Sequence, residues 1–391
     1  MIKYDYLAHS YLSLRRPLRP VFLRIFYQKT LLLTRIRLPL FCLIDTLLFP
    51  FYNETGSLKS YPQGGPMATA PSRLIFGLIP WYSFLIVTGA ALAVYLGARE
   101  EKRAGLKKDT VIDFALWALP IGIIGARIYY VAFSWDSFKD DLLSVMRIWE
   151  GGIAIYGGVI AGLITAWFFC KHRNISFFTL CDVIAPGLVL AQAIGRWGNY
   201  FNQEAYGLAV SNPSLQFFPF AVFIEADGLW HMATFFYESL WNLLVFLFLI
   251  RARRVFFRYR GDVISFYALL YACGRLIIED FRMDSLYAAQ GLRISQLLSV
   301  VLCLFVLGRY VRLFRACPAF AGLPCRLFLC AAGLCDLAAA AWMLNLIPYT
   351  APSVFVRFLL LSLCSVLNML ALFLLYGKCA EGEIIYADHQ N

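Results

Sequence analysis

FFTLCDVIAPGLVLAQAIGRWGNYFNQEAYG, residues 177–207, starts as an apolar run and ends in a polar knot. Its first 18 residues hold one charged side chain, Asp182, whereas Arg196, Asn199, Asn202 and Glu204 crowd into the nine residues 196–204. A run of roughly 17–25 apolar residues is what a helix needs to cross a hydrocarbon core about 30 Å thick. The polar knot at its end is then either a solvated link between two spans or a set of groups kept near lipid to hold something charged.

The whole chain has the same character. Of its 391 residues 61% are hydrophobic and 15% charged, and the mean hydropathy is +0.67. That balance excludes a soluble globular domain, which has no lipid in which to hide so much apolar surface. The formal net charge is +11 and the pI about 9.1. The basic residues gather between apolar runs, the pattern that fixes membrane orientation. Neither a recognition helix nor an RNA-type aromatic motif accompanies them, so a nucleic-acid partner is not expected. Eleven cysteines occur without any C-x-x-C, and Cys170, Cys181, Cys273, Cys303, Cys330 and Cys364 lie in or beside apolar runs. There they act as small hydrophobes. With His9, His172, His231 and His389 scattered, no metal site or other cofactor is expected.

Apolar runs predict spans near 74–97, 111–132, 151–170, 177–194, 234–250, 262–280 and 292–314, with two more near 326–348 and 353–377. The fold class read from this is an all-α polytopic membrane protein: a seven-span core over 71–316 with an outer-face polar cavity, then about two extra C-terminal apolar helices and a polar tail over 317–391. Residues 1–70 form a basic extension, either lying on a membrane surface or preceding a true start at Met67. The loops at 98–109, 171–174, 251–260 and 309–315 are basic, and 203–230 contains neither Lys nor Arg. The basic loops therefore face the cytoplasm and the polar knot faces outward.

Ionisable side chains within spans cost about 2.5–3.5 kcal/mol each on insertion scales, and persist when paired or lining a polar cavity. Here they are Arg127, Arg196, Glu204, Glu238 and a set in YACGRLIIEDFR, residues 271–282. Tyr271, Arg275, Glu279 and Arg282, spaced by four, four and three, share one helical face, from which Asp280 points away. As a structural device this would be a salt-bridge ladder. Four arginines against Glu204, Glu238 and Glu279 leave one excess positive charge, which suits an anionic guest. The planar guanidinium fork suits phosphate. The glycines of GGIAIYGGVIAG, 151–162, favour close helix packing over a nucleotide loop, because the Lys and Ser/Thr of a phosphate loop are missing.

GRWGNYFNQEAYG, 195–207, resembles the signature of the prolipoprotein diacylglyceryl transferase family. The resemblance runs from about Leu74 to Arg312 through WYS (81–83), GARIYYV (125–131), WEGGIAIYGGVIAG (149–162), TFFYESLWNL (234–243), the 271–282 motif and ISQLLS (294–299). It implies a multi-pass enzyme of the bacterial cytoplasmic (inner) membrane that needs neither metal nor nucleotide. The implied reaction moves the diacylglyceryl group of phosphatidylglycerol, a membrane lipid, onto the lipobox cysteine of a prolipoprotein, forming a thioether and releasing glycerol 1-phosphate. By resemblance, Arg196, Arg275, Glu204, Tyr156 and Asn199 are catalytic candidates. Arg196, Arg275, Asn202, Gly207, Tyr82, Tyr271, Glu279, Arg282 and Arg127 are candidates for binding phosphatidylglycerol, with Glu204 and Glu279 holding the arginines.

The chain departs from the family at two motifs. Tyr156-Gly157-Gly158 stands where many members have His-Gly-Gly, which leaves the general base open, since a phenol of pKa about 10 is a poor base at neutral pH. His231 is displaced by one position from the family's histidine and reads as a loop residue. The competing classes are an anion or lipid transporter and a non-catalytic membrane scaffold. The first usually shows paired broken helices and internal repeats, which are not seen here. The second would have lost Arg196 and Arg275.

Overall fold

A lipid environment forces each spanning segment to satisfy its backbone internally, and the chain accordingly folds as successive helices. The structure is a computed structural model that describes residues 72–148, 151–283, 287–289, 292–314, 323–343 and 354–388. The extension expected over 1–70 lies outside the described residues. Helices α1 (Trp81–Glu101), α2 (Thr110–Phe133), α3 (Ile155–Arg173), α4 (Phe177–Asn202), α5 (Thr234–Val255), α6 (Asp262–Ile278), α7 (Ile294–Phe314), α8 (Leu323–Met343) and α9 (Val354–Asp388) follow in order. All belong to one compact unit, residues 65–210 and 215–391. Among the described residues, α1 to α5, α7 and Phe358–Gly377 of α9 are long and apolar enough to cross a membrane. The chain is thus an all-α polytopic membrane protein with additional C-terminal helices. Shorter at 17 residues, α6 continues into a 3-10 turn, Glu279–Phe281.

Element ends are set by specific polar groups. Residues 74–80 fold as a hairpin of β1 (Leu74–Ile75) and β2 (Ile79–Pro80) instead of starting the first span. The turn at Phe76 and Gly77 has φ of 49° and 73°, so α1 begins only after Pro80. At the other end of α1, the Glu101 carboxylate accepts the backbone N–H groups of Asp109 at 2.6 Å and Val111 at 3.1 Å, capping α2. Asp182, the one charge in the apolar half of 177–207, does the same for α6. It accepts from Gly261 N at 2.5 Å and Ile264 N at 2.9 Å. The polar knot does not break α4, which runs eight residues beyond the expected end to Asn202 and turns at Gln203, φ 56°.

Packing pairs α1 with α4, α2 with α3, α5 with α4, α6 with α7, and α9 with α8 and α6. Between helices in lipid there is little hydrophobic drive, so small residues that allow close approach determine the contacts. Helices α2 and α3 meet at such residues: a Cβ on Gly157 would stand 2.4 Å from the Gly125 carbonyl oxygen and 2.4 Å from Tyr129 Cβ. The glycine-rich run at 151–162 is therefore, at Gly157, a packing seam. Past α4 the chain forms a hairpin of β3 (Ala221–Ile224) and β4 (Leu229–Met232). Further on, β5 (Tyr287–Ala289) pairs with β6 (Leu292–Arg293) just before α7.

Gly157→Ala is expected to lower the thermal unfolding midpoint in detergent, since overpacking a tight seam costs about 1–3 kcal/mol. Gly162→Ala, whose Cβ would meet nothing within 4 Å, should leave the midpoint unchanged.

Candidate active site

Glu238, in the first turns of α5, is the point on which the site converges. Its carboxylate is 3% exposed. One oxygen lies 2.6 Å from Arg196 Nη2 of α4, and the other accepts from Arg275 Nη1 of α6 at 3.0 Å. Arg275 also pairs with Glu279. Arg282, past the 3-10 turn, brings Nη1 to 4.0 Å from Glu238 and 3.8 Å from Glu279. Tyr271, Arg275, Glu279 and Arg282 were read as one helical face. The helix tightens at Glu279 and Arg282 is extended, yet Arg275 and Arg282 both still reach Glu238 and Glu279. Three guanidinium groups against two carboxylates leave one excess positive charge.

That charge sits at one end of a cavity of about 430 Å³. Arg196, Asn199, Gln192, Tyr82 and Tyr271 supply its polar lining, and Ile86, Val94, Phe114, Ala118, Leu119, Ile184 and Leu188 supply an apolar one. Because the cavity runs beside α4 from Ile184 to Asn199, it extends about 22 Å at 1.5 Å per residue. Arg196 and Asn199 both face it, being three apart on the helix. Tyr82 lies over Gly198, where a Cβ would come within 2.6 Å of the tyrosine ring. The glycine of the signature thus leaves room for the tyrosine at the polar end of the cavity.

The remaining candidates separate. Tyr156, half-buried at the start of α3, is within electrostatic range of Arg275, Glu279 and Tyr271. Glu204 is exposed, and its carboxylate accepts from Asn202 Nδ2 at 3.1 Å. The carboxylate shared by the arginines is therefore Glu238, not Glu204, because the turn at Gln203 and Ala205, φ 56° and 54°, carries Glu204 away from α4's cavity face. Gly207 is buried, with a Cβ position 2.7 Å from Thr234 and 2.9 Å from the Phe281 carbonyl oxygen. Its backbone bridges Arg282, so it seats the arginine's segment against the 203–230 connection. His231 is 1% exposed on β4, with Nδ1 2.8 Å from the Gly207 oxygen and Nε2 2.8 Å from Asp227. It fastens the same connection.

Arg127 does not join the phosphate-sized cluster. Its donors are taken by backbone carbonyls: Nε by Val145 at 2.9 Å, Nη1 by Gly151 at 2.6 Å and Gly152 at 2.8 Å, and Nη2 by Ser144 at 2.7 Å. It folds the α2–α3 connection instead. Two residues escaped sequence reasoning. Gln192 lines the cavity one turn before Arg196 and accepts from Tyr267 at 3.1 Å; an amide inside an apolar span was the available signal. Arg293 donates to the Glu279 carbonyl oxygen and lies 3.8 Å from Asp280, holding the turn between Arg275 and Arg282.

With this geometry in view, the model of prolipoprotein diacylglyceryl transferases matches residues 73–312. The chain belongs to the prolipoprotein diacylglyceryl transferase family. It is 47% identical over 234 residues to the phosphatidylglycerol–prolipoprotein diacylglyceryl transferase of Enterococcus faecalis, covering 58% of this chain and 84% of that protein. The enzymes of that name from Streptococcus suis (50% over 231 residues, 58% and 85% covered) and Streptococcus equi subsp. equi (47% over 230, 58% and 88%) are similar. Arg196, Glu238, Arg275 and Arg282 all lie inside the matched segment, and the chain is a transferase.

Glu238→Gln should lower kcat/KM for lipid transfer by roughly 100-fold or more, because it removes the charge that fixes two guanidinium groups. Glu204→Gln is expected to change it less than about fivefold. Steady-state transfer by the two purified variants compares them, and equal losses would refute this placement of the anchor.

Proposed function

We propose that this chain transfers the diacylglyceryl group of phosphatidylglycerol to the lipobox cysteine of a prolipoprotein, at the outer face of the bacterial cytoplasmic membrane. The observation that carries this reading is the pairing of a long apolar cavity with an arginine cluster of net positive charge at its polar end. Acyl chains fit the apolar length, and the phosphodiester meets Arg196 and Asn199. Charge bias in the loops supports the outward placement of that end. The activity for which the similar enzymes are named comes to this chain through the matched segment, which holds the whole cluster.

In the proposed reaction the cysteine sulfur attacks the glyceryl carbon that carries the phosphate ester. A sulfur–carbon bond forms, the carbon–oxygen bond breaks, and glycerol 1-phosphate leaves with the electron pair. The thiol, of ordinary pKa near 8.5, must give up its proton before or during attack. Arg196, Arg275 and Arg282 stabilise the charge that grows on the departing phosphate, while Glu238 and Glu279 hold them in place without reorganisation. Asn199 and Tyr82 orient the headgroup. Tyr156, within electrostatic range of Arg275, orients the thiol or a water through its hydroxyl.

Arg196→Ala is expected to abolish transfer from labelled phosphatidylglycerol to a lipobox peptide, with membrane insertion intact. Arg196→Lys should retain only a small fraction of activity, as the two-pronged contact is lost. Labelling of the peptide by the Ala variant at the wild-type rate would overturn the assignment. For Tyr156, replacement by Phe should lower kcat severalfold; unchanged turnover would exclude a role for the hydroxyl.

A further inference from the structure

The family match ends at residue 312, and α8 and α9 lie beyond it. Leu361, Ser365, Asn368, Leu372, Leu375 and Tyr376 are all fully buried, at spacings that place them on one helical face. In α9 this face packs against α6 and α8. Its polar members are each bonded. Asn368 Nδ2 donates to Asp336 of α8 at 2.7 Å. The Ser365 hydroxyl is shared between the Leu361 carbonyl oxygen of its own helix at 3.0 Å and the Cys273 carbonyl oxygen of α6 at 3.1 Å, and the Cys273 thiol donates back to the Ser365 carbonyl oxygen at 3.6 Å. Near the basic end of the bundle, the Tyr376 hydroxyl donates to Asp262 at 2.6 Å and accepts from Arg258 N at 2.8 Å.

Such bonds matter in lipid, where packing and polar contacts replace the hydrophobic effect as the force between helices. Asp336 is itself 0% exposed. A carboxylate among apolar helices is costly to leave unpaired, and the Asn368 amide of α9 meets that of Asp336. Helix α9, tied to α8 in this way, bears on α6 at two points, Asp262 in its first turn and Cys273 near its last. Cys273 is two residues before Arg275, which puts their side chains about 200° apart around the helix. Helix α9 therefore stands behind α6, and Arg275 projects forward to Glu238.

We propose that Ser365 is a positioning residue for Arg275, with Tyr376 as a second fastening. The C-terminal helices brace α6 from behind and set where the guanidinium stands relative to the shared carboxylate. This inference rests on the transferase reading of the arginine cluster.

The test uses the full chain in phosphatidylglycerol-containing proteoliposomes. Ser365→Ala is expected to lower kcat roughly three- to tenfold, the effect of one lost hydrogen bond. Ser365→Thr, which keeps the hydroxyl, should stay within about twofold of wild type by the same measure. The control is Ser362→Ala on the same helix, whose hydroxyl is bonded to none of the described residues and whose loss should change nothing. Ala and Thr variants with equal kcat would overturn the inference. A second readout is independent of activity: the rate of Cys273 alkylation in membranes, followed by peptide mass spectrometry. Faster modification in Ser365→Ala than in Ser365→Thr supports the brace, and equal rates overturn it. A wild-type chain that transfers no lipid would defeat the reading of the active site alone, leaving the alkylation comparison to judge the brace.

Discussion

One buried carboxylate organises the site. Glu238 gives one oxygen to Arg196 of α4 and the other to Arg275 of α6, so two helices that carry strong cations are drawn to a third. Without it, two guanidinium groups in a largely dry space would repel each other and the helices bearing them. Burying such charges is tolerable only when each is paired, and here Glu279 and the guanidinium of Arg282 complete the arrangement. The 203–230 connection belongs to the same construction. Gly207 fits against Thr234 and the Phe281 carbonyl, so that the segment bearing Arg282 is pinned there while Arg293 holds its turn.

Glycine and small residues make that construction possible. Helix α4 approaches α1 closely enough for Tyr82 to rest on Gly198, and Gly187 faces Ala93, where a Cβ would come within 2.7 Å of the Ala93 oxygen. The cavity opens along the edge of this seam, where Tyr82 and Ala93 also line it. Close contact along one face of α4 leaves Arg196 and Asn199 free to line the neighbouring face, which is how a tightly packed helix also borders the cavity.

Much of this was legible in the sequence, because a membrane imposes rules that act residue by residue. Spans showed as apolar runs, and Arg196, Arg275, Glu279 and Arg282 stood out as charges where charges are expensive. What could not be read was direction. Glu204 and Glu238 look equally placed to hold an arginine, and only the left-handed turn at Gln203 and Ala205 separates them. Arg127 looked like a further phosphate ligand. Its partners are carbonyls 17 to 25 residues later in the chain, and carbonyls leave no trace in a sequence pattern. The start of α1 was misplaced because Leu74–Pro80 is apolar enough for a span, yet its turn and proline make it a hairpin. The backing of α6 by α9 was equally hidden, since its stripe is a matter of which face meets which neighbour.

The surplus of one positive charge bears on how the proposed chemistry would be driven. A phosphodiester headgroup carries one negative charge, which the cluster balances on binding. As the carbon–oxygen bond breaks, the phosphate gains a second charge that a phosphomonoester largely retains at neutral pH, its second pKa being about 6. Attraction to Arg196, Arg275 and Arg282 therefore grows along the reaction, and a contact that strengthens toward the transition state accelerates the step, whereas one equally strong throughout only tightens binding. Rigidity is then as important as charge: guanidinium groups free to follow the phosphate would lose the benefit of having been oriented beforehand, which is why a helix braced on both sides is the appropriate carrier for Arg275.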